Sequence, residues 1–297
     1  MRQSLKEYIY YLKITKNLSE NTILAYKNDL EEYIDFLEKN YEVKRPNSFR
    51  GVYLKNYLKH LERFKLSKSS TRRKISSIKS FNKYLISKNR LDISQIEEVS
   101  SPKVEKRIPV VLSVEEVNKL IETSKGLKYN EKRNYAMLNL LYGSGLRISE
   151  LVGLNISDIH INVSLIKVYG KGSKERIVPM NKETVSALKD YMLNFRAIQN
   201  IKDKEALFLN KNGERITRIA VFKIIKELAI KANIDKDISP HTLRHSFATH
   251  MLENGADIMA VKDLLGHEDI QTTEIYTHVS NKKIFDIYDE IFPRNEE

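Results

Sequence analysis

Cysteine is absent from all 297 residues. That excludes disulfides, thiolate zinc sites and a cysteine nucleophile, so any chemistry must come from other side chains. Nor does any run approach the roughly 18–20 consecutive apolar residues that span a bilayer. The opening MRQSLKEYIYYLKITKN interrupts any signal-like core with charges. The expectation is a chain that stays in the cytoplasm and makes no use of a membrane. A GxxxxGKS/T phosphate loop is missing, as is the HExxH arrangement of a helical zinc site. There are no internal repeats or low-complexity tracts.

What is present is the balance of a folding, water-soluble chain, 41% hydrophobic and 30% charged, and long enough for two domains with a core each. The net charge of +12 is unevenly placed. Residues 1–107 carry 24 Lys+Arg against 13 Asp+Glu, whereas residues 108–297 carry 27 against 26. Residues 44–90 hold 15 basic residues and a single acidic one, Glu62. A solvated helix face normally mixes signs, so this excess points to a polyanion, DNA or RNA.

Apolar residues three and four apart divide the first ninety residues into four helices, with no strand pattern. The second is expected to start after Ser19 as N-cap and to end near Asn40. The fourth is expected to open near Ser69 or Ser70. Its stripe is Ile75, Ile78, Phe81 and Leu85, which leaves Arg72, Arg73, Lys79 and Lys83 away from the core as candidate DNA-binding residues. Residues 89–109 lack a sustained period and contain Ser-Ser-Pro and Ile-Pro breaks, so a linker is expected at 89–107 between domains at 1–88 and 108–297. Beyond it, Ser113 and Glu116 have capping-box spacing. In VSLIKVYGKGSKERIVPM, β-branched runs flank a Gly-Lys-Gly-Ser-Lys turn, the pattern of a β-hairpin.

Four clusters in the second domain carry potential chemistry. Arg147 and Glu150, three apart on an expected helix, have the spacing of an ordinary surface ion pair. Gly143 and Gly145 just before them also suit close backbone approach to a phosphate. Ser239 and Pro240 are expected to start a helix ending before Gly255, with His241 and Arg244 on one face. His241 and His245 have the i, i+4 spacing of metal ligands but no completing carboxylates or thiolates, and a buried structural role is expected for His245 and His250. Lys171 at the hairpin tip is either a soluble turn residue or a cation able to reach a phosphate. Gly-His267 precedes Tyr276 by nine residues, but Tyr276 is one of sixteen tyrosines and its own neighbourhood does not single it out.

Together SGLRISELVGL, VYGKGSKERIVPM, SPHTLRHSFATHMLENGADIMAVKDLLGH and TTEIYTHV resemble the tyrosine recombinase (phage integrase) family, most closely its Xer-type site-specific recombinases. The resemblance implies a mainly α fold. A four-helix SAM-like core-binding domain would precede a mixed, mostly helical catalytic domain with a small antiparallel sheet, the two clamping DNA. It makes Arg147 and Arg244 the phosphate-binding arginines, Lys171 the hairpin lysine, His241 and His267 the two histidines, Tyr276 the nucleophile and Glu150 a supporting acid. It implies a C-terminal exchange helix at about 282–292, whose stripe Ile284, Ile287, Tyr288 and Ile291 is apolar in this sequence. That helix either docks into a neighbouring subunit or onto its own domain.

The implied reaction cuts and rejoins strands through a 3′-phosphotyrosyl bond, with a 5′-hydroxyl released and later attacking a partner strand. It needs no cofactor, metal or ATP. A phenol with an ordinary pKa near 10 needs a base, for which His241 is the candidate. The implied partners are a duplex recombination site, a homo- or hetero-tetramer at synapsis, a second recombinase and a septal DNA translocase, in a nucleoid-associated setting where chromosome or plasmid dimers are resolved. Alternatives with related chemistry are an integrase of a phage or transposon and a type IB topoisomerase. The compact length, without an arm-binding domain, favours the Xer side. A DNA-binding regulator without catalysis is the alternative from another class.

Overall fold

In a computed structural model the chain divides into two compact units, Met1–Arg107 and Ile108–Glu297, each with its own apolar core. The structure describes residues 1–91, 110–170, 175–197, 200–266 and 288, apart from 17, 49 and 65.

The first unit consists of α1 (Arg2–Ile14), α2 (Glu20–Tyr41), α3 (Gly51–Arg63) and α4 (Lys68–Ser87). Ser19 caps α2 as its sequence position requires, its hydroxyl accepting from the Thr22 amide at 3.3 Å. α4 starts earlier than expected. Its cap is Ser67, which accepts from the Ser70 amide at 3.1 Å. Several nearby serines are able to cap, and the earliest lengthens the helix and its backbone hydrogen-bond ladder. Ile75, Ile78, Phe81 and Leu85 are fully buried, and the last three cluster with Tyr8, Leu30, Tyr33 and Tyr57.

The basic face of α4 is less uniform than its own sequence indicates. Asp29 of α2 is buried and paired with both Arg73 and Lys74, and Glu32 also meets Lys74. The acid that the segment 44–90 lacks is thus supplied by another helix. Arg72 and Lys83 remain exposed, with no ion pair among the described residues.

The second unit runs α5 (Val114–Thr123), α6 (Tyr129–Gly143), α7 (Ile148–Gly153), β1 (Ile159–His160), β2 (Leu165–Tyr169), β3 (Glu175–Pro179), α8 (Lys182–Asp190), α9 (Arg218–Lys231), α10 (Pro240–Glu253) and α11 (Ile258–Leu265). The Ser113–Glu116 capping box forms in both directions, at 2.7 and 3.2 Å. β2 and β3 make the expected antiparallel hairpin, in register from Leu165 opposite Pro179 to Tyr169 opposite Glu175. β1 adds a third strand on the far side of β2. Two residues are too few for an alternating pattern to announce it.

Alternation puts Ile166, Val168 and Val178 on the buried face of the sheet. α6 is buried from Ala136 to Gly143 and runs through the core, so its C-terminus delivers the Gly-Ser-Gly segment before Arg147 into the interior. No described helix is long and apolar enough to cross a membrane. Of the expected exchange helix, the structure describes Tyr288 alone. It is buried in the core of its own unit, where its hydroxyl donates to the Gly143 carbonyl at 2.5 Å and accepts from the Asn181 amide at 3.0 Å.

Candidate active site

The segment after α6 turns sharply at Gly145, whose φ of +56° is one that residues with a side chain rarely adopt. A Cβ there would lie 2.5 Å from Phe247 Cδ1 on α10 and 2.9 Å from Leu265 Cδ2 on α11. Only glycine permits the close approach of these two helices to the turn. Ser144, fully buried, fastens the turn to β3 by donating to the Pro179 carbonyl at 3.0 Å. Arg147 then takes the N-cap position of α7, and the Glu150 carboxylate reaches back to its amide at 2.8 Å. The helix start therefore already has an anion, supplied by its own third residue, which a phosphate resting on the backbone would have to displace.

Glu150 is the centre of the arrangement, with only 3% of its side chain exposed. Arg147 Nη1 donates to Oε1 at 2.9 Å. Arg176, from β3, donates through both terminal nitrogens to the two carboxylate oxygens, each at 2.8 Å. Arg244, from α10, brings Nη1 within 3.8 Å of Oε2. The same three guanidinium groups cap the C-terminus of α11. Arg176 Nε donates to the Leu264 carbonyl at 2.9 Å, Arg244 Nη2 to Leu265 at 2.5 Å, and Arg147 Nη2 to Gly266 at 3.0 Å. Arg244 Nη1 also donates to the Gly145 carbonyl at 2.6 Å.

Cations at the carbonyl end of a helix meet its partial negative charge, so the arginines are held by fixed dipoles as well as by one carboxylate. Three positive charges and one negative leave an excess of two. Burial pushes the Glu150 carboxyl up, but the Arg176 hydrogen bond, the Arg147 amide and the charge of Arg176 outweigh it and hold it below the ordinary carboxylate range. Burial, reinforced by the Arg147 charge, pulls Arg244 down to about 10, against the attraction of Glu150, which leaves it a cation at neutral pH. Arg147 has 32% of its side chain exposed, against 10% for Arg244 and 13% for Arg176. The surplus charge thus opens to solvent mainly through Arg147. Such a pocket suits a phosphate diester, whose two non-bridging oxygens accept from guanidinium forks.

α10 begins as its sequence predicts, with Ser239 as cap and Pro240 in the first turn. That start places His241 exposed at the helix entrance, one turn before Arg244. His250 is buried and bonded through Nδ1 to the Tyr142 hydroxyl at 2.9 Å. His245 is exposed rather than buried, because it falls on the opposite side of α10 from Leu243, Phe247 and Met251. No three His, Asp or Glu side chains gather as a metal site among the described residues.

Comparison with known proteins gives this geometry a context. Residues 110–283 match the model of the phage integrase family, and residues 5–89 match its N-terminal SAM-like domain. The chain belongs to the phage integrase family. It is 39% identical to tyrosine recombinase XerD of Halalkalibacterium halodurans, over 99% of both chains, and 41% identical to that of Staphylococcus epidermidis, over 99% of this chain and all of the other. The crystal structure of XerA recombinase, 32% identical, aligns over 99% of both chains with a TM-score of 0.51. The integrase of transposon Tn1549 in complex with transposon right end DNA is 23% identical with a TM-score of 0.71, over 95% of this chain and 98% of that one, a likeness of fold. This member of the family is therefore a site-specific DNA recombinase of mostly helical architecture.

Of the expected site residues, the structure brings Arg147, Glu150 and Arg244 together and puts His241 on the helix that carries Arg244. Lys171, His267 and Tyr276 lie outside the described residues. Arg176 was not among the residues singled out from sequence. Its signal is nonetheless present, since strand alternation places this charged residue on the same face as buried Val178.

Proposed function

We propose that the chain breaks and rejoins DNA at a specific site through Tyr276, with Arg147 and Arg244 gripping the scissile phosphate. The convergence of Arg147, Arg176 and Arg244 on a single carboxylate supports this reading most directly, because it builds a fixed surplus of positive charge where a phosphorane would develop negative charge. His241 takes the Tyr276 proton as the phenol attacks and returns it later. His267 adds a donor to the phosphate. Lys171 protonates the departing 5′-oxygen, which is otherwise a poor leaving group. The phosphotyrosyl bond conserves the energy of the broken diester, so no ATP is consumed, and Arg147, Arg244, His267 and Lys171 supply the charge and the proton that a metal would otherwise provide.

The duplex is held in addition by the exposed face of α4. At 100° per residue, Arg72, Lys79 and Lys83 fall within one narrow stripe opposite the buried face. Two subunits hold the two half-sites and four form the synapse, acting with a second recombinase and a septal DNA translocase in the cytoplasm. The full-length similarity to XerD proteins supports dimer resolution at chromosome segregation as the biological setting.

A suicide substrate nicked beside the scissile base tests the chemistry. The unmodified chain should form a covalent protein–DNA adduct in EDTA, and Tyr276→Phe should bind the same DNA without forming one. An adduct of normal yield from Tyr276→Phe, or loss of cleavage in EDTA, would refute the mechanism.

A further inference from the structure

Arg176 touches three elements of the second unit at once. It leaves β3 on the inner face of the sheet, spans both oxygens of Glu150 at 2.8 Å, and turns its Nε to the Leu264 carbonyl at the end of α11. Gly266, in the left-handed conformation that ends α11, is shaped around it: a Cβ there would lie 3.2 Å from Arg176 Nη1 and 3.3 Å from its Cδ. The guanidinium is nearly buried and so placed that little of it faces solvent. A DNA phosphate would meet Arg147 first.

We infer that Arg176 is a positioning residue for the recombinase reaction: it orients the Glu150 carboxylate and fixes the end of α11, so that Arg147 and Arg244 are aimed before DNA arrives. Glu150 has two oxygens to share among three arginines. Arg176 takes one lone-pair direction on each, which leaves Arg147 held through Oε1 and its own amide, and Arg244 close to Oε2 but bonded to carbonyls. With Arg176 in place, the carboxylate cannot rotate to form a fork with Arg147 or Arg244, and their remaining N–H donors stay available to phosphate. A lysine supplies the charge without the planar fork, so it cannot hold both oxygens and a carbonyl together.

Among the described residues, the charged groups facing Glu150 are Arg147 at the head of its own helix, Arg176 from β3 and Arg244 from α10. Arg176 is first among those that offset the effect of burial on this carboxyl. Removing it should raise the pH at which Glu150 takes up a proton and releases the arginines.

The inference rests on the phosphoryl-transfer reading above, and the same adduct assay tests both. The full-length chain, Arg176→Met, Arg176→Lys and Arg176→Met combined with Glu150→Gln are compared for DNA affinity by gel shift and for adduct rate from about pH 3.5 to 9, a range that reaches the titration of Glu150 as well as that of the general base. Arg176→Met is expected to keep DNA affinity within about twofold, to slow adduct formation at least tenfold at neutral pH, and to move the lower acid limb of the profile, the one that Glu150 sets, up by about one pH unit. Adding Glu150→Gln should abolish that movement, because the amide does not titrate. Arg176→Lys should fall between, and it decides the matter if the methionine variant does not fold.

A lower acid limb that stays in place in a folded variant, with or without a lower rate, would overturn the inference and leave the recombinase reading intact. Absence of an adduct from the unmodified chain would remove both.

Discussion

Glu150 carries a negative charge in a place that water scarcely reaches, and its neighbours explain why the charge survives there. Its folded pKa lies below the ordinary value of about 4.3. The paired carboxylate therefore stabilises the fold at any pH above that value, and the contribution is lost as the pH falls through the lower, folded value. Glu150→Gln should flatten the acid side of the stability profile below about pH 5. At neutral pH it should cost about 3–5 kcal/mol by urea unfolding, since three arginines lose their common anion. An acid profile as steep as that of the unmodified chain would show that the carboxylate does not carry this dependence.

Gly145 is the other residue on which the site's geometry turns. Gly145→Ala combines a left-handed backbone with a Cβ driven into Phe247, so it should destabilise the second unit by about 2–5 kcal/mol. Arg244→Ala should slow adduct formation about 100- to 1000-fold, with a much smaller effect on DNA affinity because other cations also hold the backbone.

At the scale of the element, α4 separates two uses of positive charge that its sequence presents alike. Arg72, Lys79 and Lys83 lie opposite the buried stripe, whereas Arg73 and Lys74 turn toward Asp29 and Glu32 of α2. Replacing Arg72 or Lys83 by alanine should weaken binding to all DNA sequences alike and lower the salt slope by about 0.9 for each phosphate no longer neutralised. Arg73→Ala should instead leave the buried Asp29 short of a partner and destabilise the first unit by about 1–3 kcal/mol. A salt-titration series of fluorescence anisotropy curves, with urea unfolding of each variant, distinguishes the two classes; an unchanged salt slope for Arg72→Ala and Lys83→Ala would remove α4 from the DNA interface. α11 shows a second use of cations by an element. Its last carbonyls accept from three arginines drawn from three separate segments, so a short helix becomes the frame on which the arginine cluster is mounted.

At the scale of the molecule, each of the two core clusters among the described residues draws on one unit alone. Calorimetry of the free chain should accordingly resolve two unfolding transitions rather than one, and a single cooperative transition with equal calorimetric and van't Hoff enthalpies would contradict this. The amino-acid sequence by itself determined the elements and the chemical inventory. Helical periods predicted the stripe of α4, Ser19, Ser113 and Ser239 marked helix starts, and the Gly-Lys-Gly-Ser-Lys turn marked the β2–β3 hairpin. These signals are local, set by backbone sterics and by partners a few residues away. The motif residues Arg147, Glu150 and Arg244 could likewise be picked out, because their types and order are characteristic of the family. What only the tertiary structure decided was partnership. Asp29 pairing with Arg73 and Lys74, His245 facing solvent, β1 joining the sheet, and Arg176 sharing Glu150 with Arg147 all depend on the packing of distant segments. A charge in a sequence has no direction until packing places another charge beside it.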